Sequence, residues 1–121
     1  MIKIFKVNDI DISFIPGTWA LIETLEVFNV NPDEIADLFS KAHSHFKFIT
    51  TFAHKSYEAN CLKNGVIANY SNYDVCQWID ENGGLTGELF TNFKDMTYKA
   101  LGIKLSEESE ASEDGTDKKK A

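Results

Sequence analysis

The sequence predicts a mainly α-helical fold that opens with a β-hairpin, and three observations carry that expectation. Residues 2–15 alternate around Asn8-Asp9, the period of two strands joined by a tight two-residue turn. Beyond Thr18 the apolar spacing becomes helical and is punctuated by helix-start signals at Asn31-Pro32-Asp33-Glu34 and at Ser71. The stretch Phe46 to Leu62 covers roughly 220° of a helix with apolar residues at 100° per residue, more than one packing contact uses. It is therefore expected to be a central helix around which the rest is packed. The predicted boundaries are a hairpin over 2–15 and helices over about 18–28, 32–43, 45–63, 72–82 and 86–101. These form one folded domain over 1–105, followed by a disordered acidic tail over 106–121.

The hairpin register follows from the turn. Asn8 and Asp9 tolerate positive φ, which sets Val7 opposite Ile10 and Phe5 opposite Ile12, with Lys6 opposite Asp11 as a cross-strand ion pair on the other face. Pro16-Gly17 ends the second strand, and Thr18 is placed to cap a helix with a Leu21, Ile22, Leu25, Phe28 stripe, Trp19 near the join and Asn29 as terminator. Being short, that helix is expected to lie on the hairpin. The second helix starts at Pro32 and buries Ile35, Leu38, Phe39 and Ala42. That stripe runs on in phase through Phe46, Ile49 and Ala53. One helix of about 32 residues would be long for such a domain, so a break or kink is expected near Ser44.

Asn64-Gly65 closes the central helix, and Val66 to Tyr70 connect it to the next. Ser71 with Asp74 forms a capping box, Val75, Trp78 and Ile79 give one apolar face, and Asn82-Gly83-Gly84 stops the helix. The last helix turns Leu89, Phe90, Phe93, Thr97 and Ala100 inward and ends at Gly102. From Ser106 six acids and three terminal lysines leave the tail at a net −3, with too little apolar surface to fold.

Composition narrows the function classes. The 121 residues carry a net charge of −7, and all twelve bases are lysines. Without arginine or a concentrated basic face, nucleic acid and anionic membrane surfaces are disfavoured partners. Cys61 and Cys76 are too few for a disulfide framework and read as reduced thiols. No apolar run near twenty residues and no leader-like N-terminus is found, so a soluble protein that stays where it is made is expected.

Chemistry is sparsely signalled. His43, His45, Cys61 and Cys76 match no zinc spacing, and no nucleophile elbow or cysteine-protease signature is present. Gly83-Gly84-Leu85-Thr86-Gly87 lacks a phosphate-loop lysine and a preceding strand. No catalytic residue, metal or cofactor is expected. The surplus apolar face of the central helix points instead to protein binding, with Phe46, Phe48, Ile49 and Phe52 as the candidate partner-binding residues.

The order of elements resembles the tail assembly chaperones of long-tailed bacteriophages. The residues that carry the resemblance are IKIFKVNDIDISFI, PGTWALIETLEVFNVNPDEIADLF, FITTFAHKSYEANCLKNG, SNYDVCQWIDENGG and LFTNFKDMTYKALG, followed by a charged tail. The resemblance covers nearly the whole chain, and it rests on apolar positions and caps rather than catalytic residues. It implies a non-enzymatic chaperone that coats the tape measure protein in the host cell cytoplasm until tail-tube subunits polymerise, and that is not retained in the virion. It also leaves room for contact with the tail tube protein and for self-association. A small adaptor or host-modulating protein with one fixed partner is the alternative reading.

Overall fold

Two strands, β1 (Lys3–Val7) and β2 (Ile10–Phe14), form an antiparallel hairpin at the N-terminus of the computed structural model, which describes residues 2–103. Asn8 and Asp9 take φ of 52° and 69°, and the strands pair Val7 with Ile10, Phe5 with Ile12 and Lys6 with Asp11. The Lys6 ammonium lies 3.3 Å from the Asp11 carboxylate. The register read from the sequence is therefore the observed one. Val7, Ile12 and Phe14 are buried on the inner face, whereas Ile2 and Ile4 are exposed outside.

Among the described residues five α-helices follow: α1 (Thr18–Phe28), α2 (Ile35–Phe39), α3 (Ala42–Asn64), α4 (Asn72–Glu81) and α5 (Glu88–Leu101). The fold is mainly helical behind a two-stranded hairpin, as the periodicities predict. Helix α3 is the centre, since β2, α1, α2, α4 and α5 all pack against it. The Ile15 amide donates to the Ser56 carbonyl at 2.9 Å, tying the end of the hairpin to the middle of α3. Phe5 and Phe14 also meet Phe93 of α5 at ring distances of 5.9 and 5.4 Å. An otherwise marginal hairpin is thus held by apolar contact on its inner face.

Several boundaries differ from expectation for identifiable reasons. Pro32–Glu34 is a single 3-10 turn rather than the start of an α-helix, and the Glu34 carboxylate accepts the Asn31 amide at 2.7 Å. The break before the central helix falls at Ser40-Lys41, not near Ser44. Lys41 is extended at φ −113°, ψ 127°, and the Ser40 hydroxyl donates to the Asp37 carbonyl at 2.7 Å. A hydroxyl that competes for a helix carbonyl favours termination, and it needs no glycine or proline. Helix α3 therefore begins at Ala42 and α2 is only five residues long.

Helix α1 packs along α3 rather than chiefly on the hairpin. Its N-cap is Gly17, not Thr18, and Asn29 closes it in the left-handed region as expected. Helix α4 keeps its predicted box: the Ser71 amide donates to the Asp74 carboxylate at 2.8 Å, and the Asp74 amide to the Ser71 hydroxyl at 3.2 Å. Helix α5 begins at Glu88 instead of Thr86, because Gly84–Thr86 forms a 3-10 turn and Gly87 returns to an extended conformation. A Cβ on Gly87 would lie 2.1 Å from the Asn82 carbonyl oxygen, so this turn closes only with glycine there. The tail assigned to 106–121 lies outside the described residues.

Candidate protein-binding surface

The four candidate residues on α3 separate into two environments. Phe48, Ile49 and Phe52 have no solvent exposure, which corrects their assignment to a partner surface. Phe48 is enclosed by Phe28 of α1 at 5.4 Å and Phe39 of α2 at 5.3 Å. The wide apolar arc of α3 is consumed by its intramolecular neighbours, and the more polar Thr50, Thr51, Ser56 and Cys61 are buried with it. Leu62, counted in the apolar arc, is exposed.

Phe46 alone remains half-buried, with its ring edge-on to Phe90 of α5 at 5.8 Å. It lines an open groove of about 380 Å³ between the first half of α3 and α4, together with Thr50, Cys76, Ile79 and Leu85, with Lys47 and Asp80 among the charged lining residues. Burial raises the Cys76 thiol pKa, and the Asp80 carboxylate adds to it while a hydrogen bond with Thr50 opposes it. The thiol is thus kept protonated and behaves as a small apolar lining group.

Beside Phe46 lies an aromatic stack. The His45 ring packs on Phe39 at 4.5 Å and on Tyr98 at 5.8 Å, and its Nε2 is 2.7 Å from the Tyr98 hydroxyl. Burial, followed by the Lys94 charge, lowers the imidazole pKa. A neutral ring is favoured, which suits a packing role between α2 and α5. At the other end of α3 the Tyr57 hydroxyl accepts the Asn69 amide at 2.8 Å and His54 Nε2 lies 2.9 Å from the Tyr70 carbonyl, anchoring the connector to α4.

Exposed large apolar side chains are grouped elsewhere. On α1, Trp19, Ile22 and Val27 are 40, 49 and 51% exposed, opposite the half-buried Leu21, Leu25 and Phe28 and the buried Ala20 and Thr24. The exposure of Ile22 corrects its expected place in the inward stripe. The signal was present in TWALIETLEVF, where apolar residues fall on both sides of the helix while only one side meets α3. A second group, Leu62, Val66, Ile67 and Tyr73, is exposed around the α3–α4 connector.

Among the described residues no group of three His, Cys, Asp or Glu side chains is gathered as a metal site. No described helix is long and apolar enough to cross a membrane. No family model, curated protein or solved structure matches the chain.

Proposed function

We propose that this chain is a non-enzymatic tail assembly chaperone that binds the tape measure protein of a long-tailed bacteriophage and keeps it soluble in the host cytoplasm. The reading is supported by the sequence resemblance, which runs through the hairpin and every helix. The observation that carries it further is the set of large apolar side chains left on the outside of a well-filled fold, above all Trp19, Ile22 and Val27 on α1. Isolated exposed apolar residues are ordinary, but three along one arc of an eleven-residue helix form a surface suited to an apolar partner. Phe48, Ile49 and Phe52 of α3 are buried and take no part in this reading.

The test is co-expression with the tape measure protein encoded in the same gene cluster. The tape measure protein is expected in the insoluble fraction alone and in the soluble fraction, bound to this chain, when the two are made together. A tape measure protein whose solubility and recovery are unchanged by this chain would overturn the reading.

A further inference from the structure

Between Val7 and Ser40 the chain has no lysine, arginine or histidine, yet it contains Asp9, Asp11, Glu23, Glu26, Asp33, Glu34 and Asp37. Asp11 is neutralised by Lys6 across the hairpin. Glu23 and Glu26 are on α1 itself and Asp33, Glu34 and Asp37 in the segment that follows it, whereas Asp9 sits at the hairpin turn, where the Asn8 side chain donates to Glu81. Glu26, Asp33, Glu34 and Asp37 are exposed. Glu23 and Glu26 lie on the same outward arc of α1 as Trp19, Ile22 and Val27. Next to them Ile22, Leu25, Glu26, Asn29, Val30 and Asn31 line a shallow depression of about 340 Å³ at the end of the helix. The Lys47 ammonium, 5.6 Å from the Phe28 ring centroid, reaches the inward side of α1 rather than this arc.

The other exposed apolar groups have mixed charge around them. Lys63 lies within the segment that carries Leu62, Val66, Ile67 and Tyr73, and Asp74 follows directly after it. The Lys6–Asp11 pair accompanies Ile2 and Ile4 on the outer face of the hairpin. Among the described residues α1 alone joins an apolar stripe to a surface of one sign.

We infer that the outward face of α1, with the acids of residues 23–37 beside it, docks a cationic amphipathic helix of a partner protein. An eleven-residue helix presents a stripe of about 16 Å, the length of three turns of a partner helix laid along it. Apolar side chains of that helix meet Trp19, Ile22 and Val27, and its flanking lysines or arginines meet Glu23, Glu26 and the acids beyond Asn31. A second copy docking the same face on itself would set like charges together, and an anionic membrane would be repelled. The inference rests on the protein-binding reading above and adds to it the face and the charge of the partner.

The probe is a synthetic eighteen-residue Leu/Lys amphipathic helix, compared with a Leu/Glu helix of the same pattern and with anionic phospholipid vesicles, on the full chain. Binding of the Leu/Lys peptide alone is expected, with a blue shift of Trp19 emission that a Trp19→Phe chain lacks. Ile22→Ser should weaken it about tenfold, and Glu23→Gln with Glu26→Gln should weaken it severalfold and flatten its salt dependence. Ile67→Ser, an equal loss of apolar surface elsewhere, should change it less than about twofold. Circular dichroism of each variant confirms that the fold is kept. Equal binding by the Ile22 and Ile67 variants, preference for the Leu/Glu peptide or the vesicles, dimerisation through α1, or no binding would each overturn the inference. A tape measure protein left insoluble while the peptide maps to α1 sinks only the chaperone reading. A tape measure protein solubilised equally by wild type and Ile22→Ser sinks only this inference.

Discussion

At the scale of single residues, Ser56 and His45 show how burial sets the sign of an effect. The Ser56 hydroxyl is fully buried in α3 and has no hydrogen-bond partner among the described residues, while its backbone carbonyl holds Ile15. An unpaired buried hydroxyl is destabilising, and alanine is also the better helix former. Ser56→Ala is therefore expected to raise stability by about 1 kcal/mol, read from the denaturant midpoint at unchanged slope. His45 has its folded pKa depressed below the ordinary 6.5, first by burial and then by Lys94. The unfolded chain takes up the proton at higher pH than the folded one. The stability tied to the neutral ring is therefore complete above pH 6.5 and is lost as pH falls through the folded value. Thermal melts between about pH 7.5 and 5 should show a steeper acid loss for wild type than for His45→Gln. Parallel loss in both would contradict the assignment. Neither residue's behaviour could be read from the sequence, because both depend on what the tertiary fold places around them.

At the scale of elements, the chain announced its own punctuation well wherever local chemistry decides. The hairpin register, the Ser71–Asp74 box and the left-handed closures at Asn29, Gly65 and Gly102 all depend on side chains adjacent in sequence. The end of α2 falls a few residues before its expected place because the apolar stripe continues in phase across Ser40-Lys41, while the interruption comes from the Ser40 hydroxyl on the Asp37 carbonyl and the extended Lys41, neither of which is a glycine or proline signal. The expectation of a partner surface on α3 fails for a related reason. A helical wheel counts the apolar surface a helix possesses, not how many neighbours cover it, and α3 has five. The turn before α5 offers a direct test. Gly87→Ala sets a Cβ against backbone that cannot yield cheaply, so a loss above about 2 kcal/mol is expected. Gly17→Ala, whose Cβ would meet Ile15 at 3.9 Å, should stay within about 1 kcal/mol. Similar midpoints for the two variants would show that the α4–α5 turn is more yielding than its geometry implies.

At the scale of the molecule, packing and charge divide the labour. Helix α3 is spent on the core, where rings from β1, β2, α1, α2 and α5 join one aromatic and aliphatic cluster around it. The face proposed for a partner is the outside of the first helix, set in a stretch of sequence whose charged side chains are all acidic. The central claim is that partner binding uses that outer face while α3 stays closed. The most direct measurement is an amide and side-chain NMR titration of the isotope-labelled chain with the Leu/Lys amphipathic helix. The account predicts shifts confined to residues 18–37, including the Trp19 indole, with the Phe48 and Phe52 ring signals unmoved. Shifts centred on 62–73, or movement of the Phe48 and Phe52 rings, would contradict it.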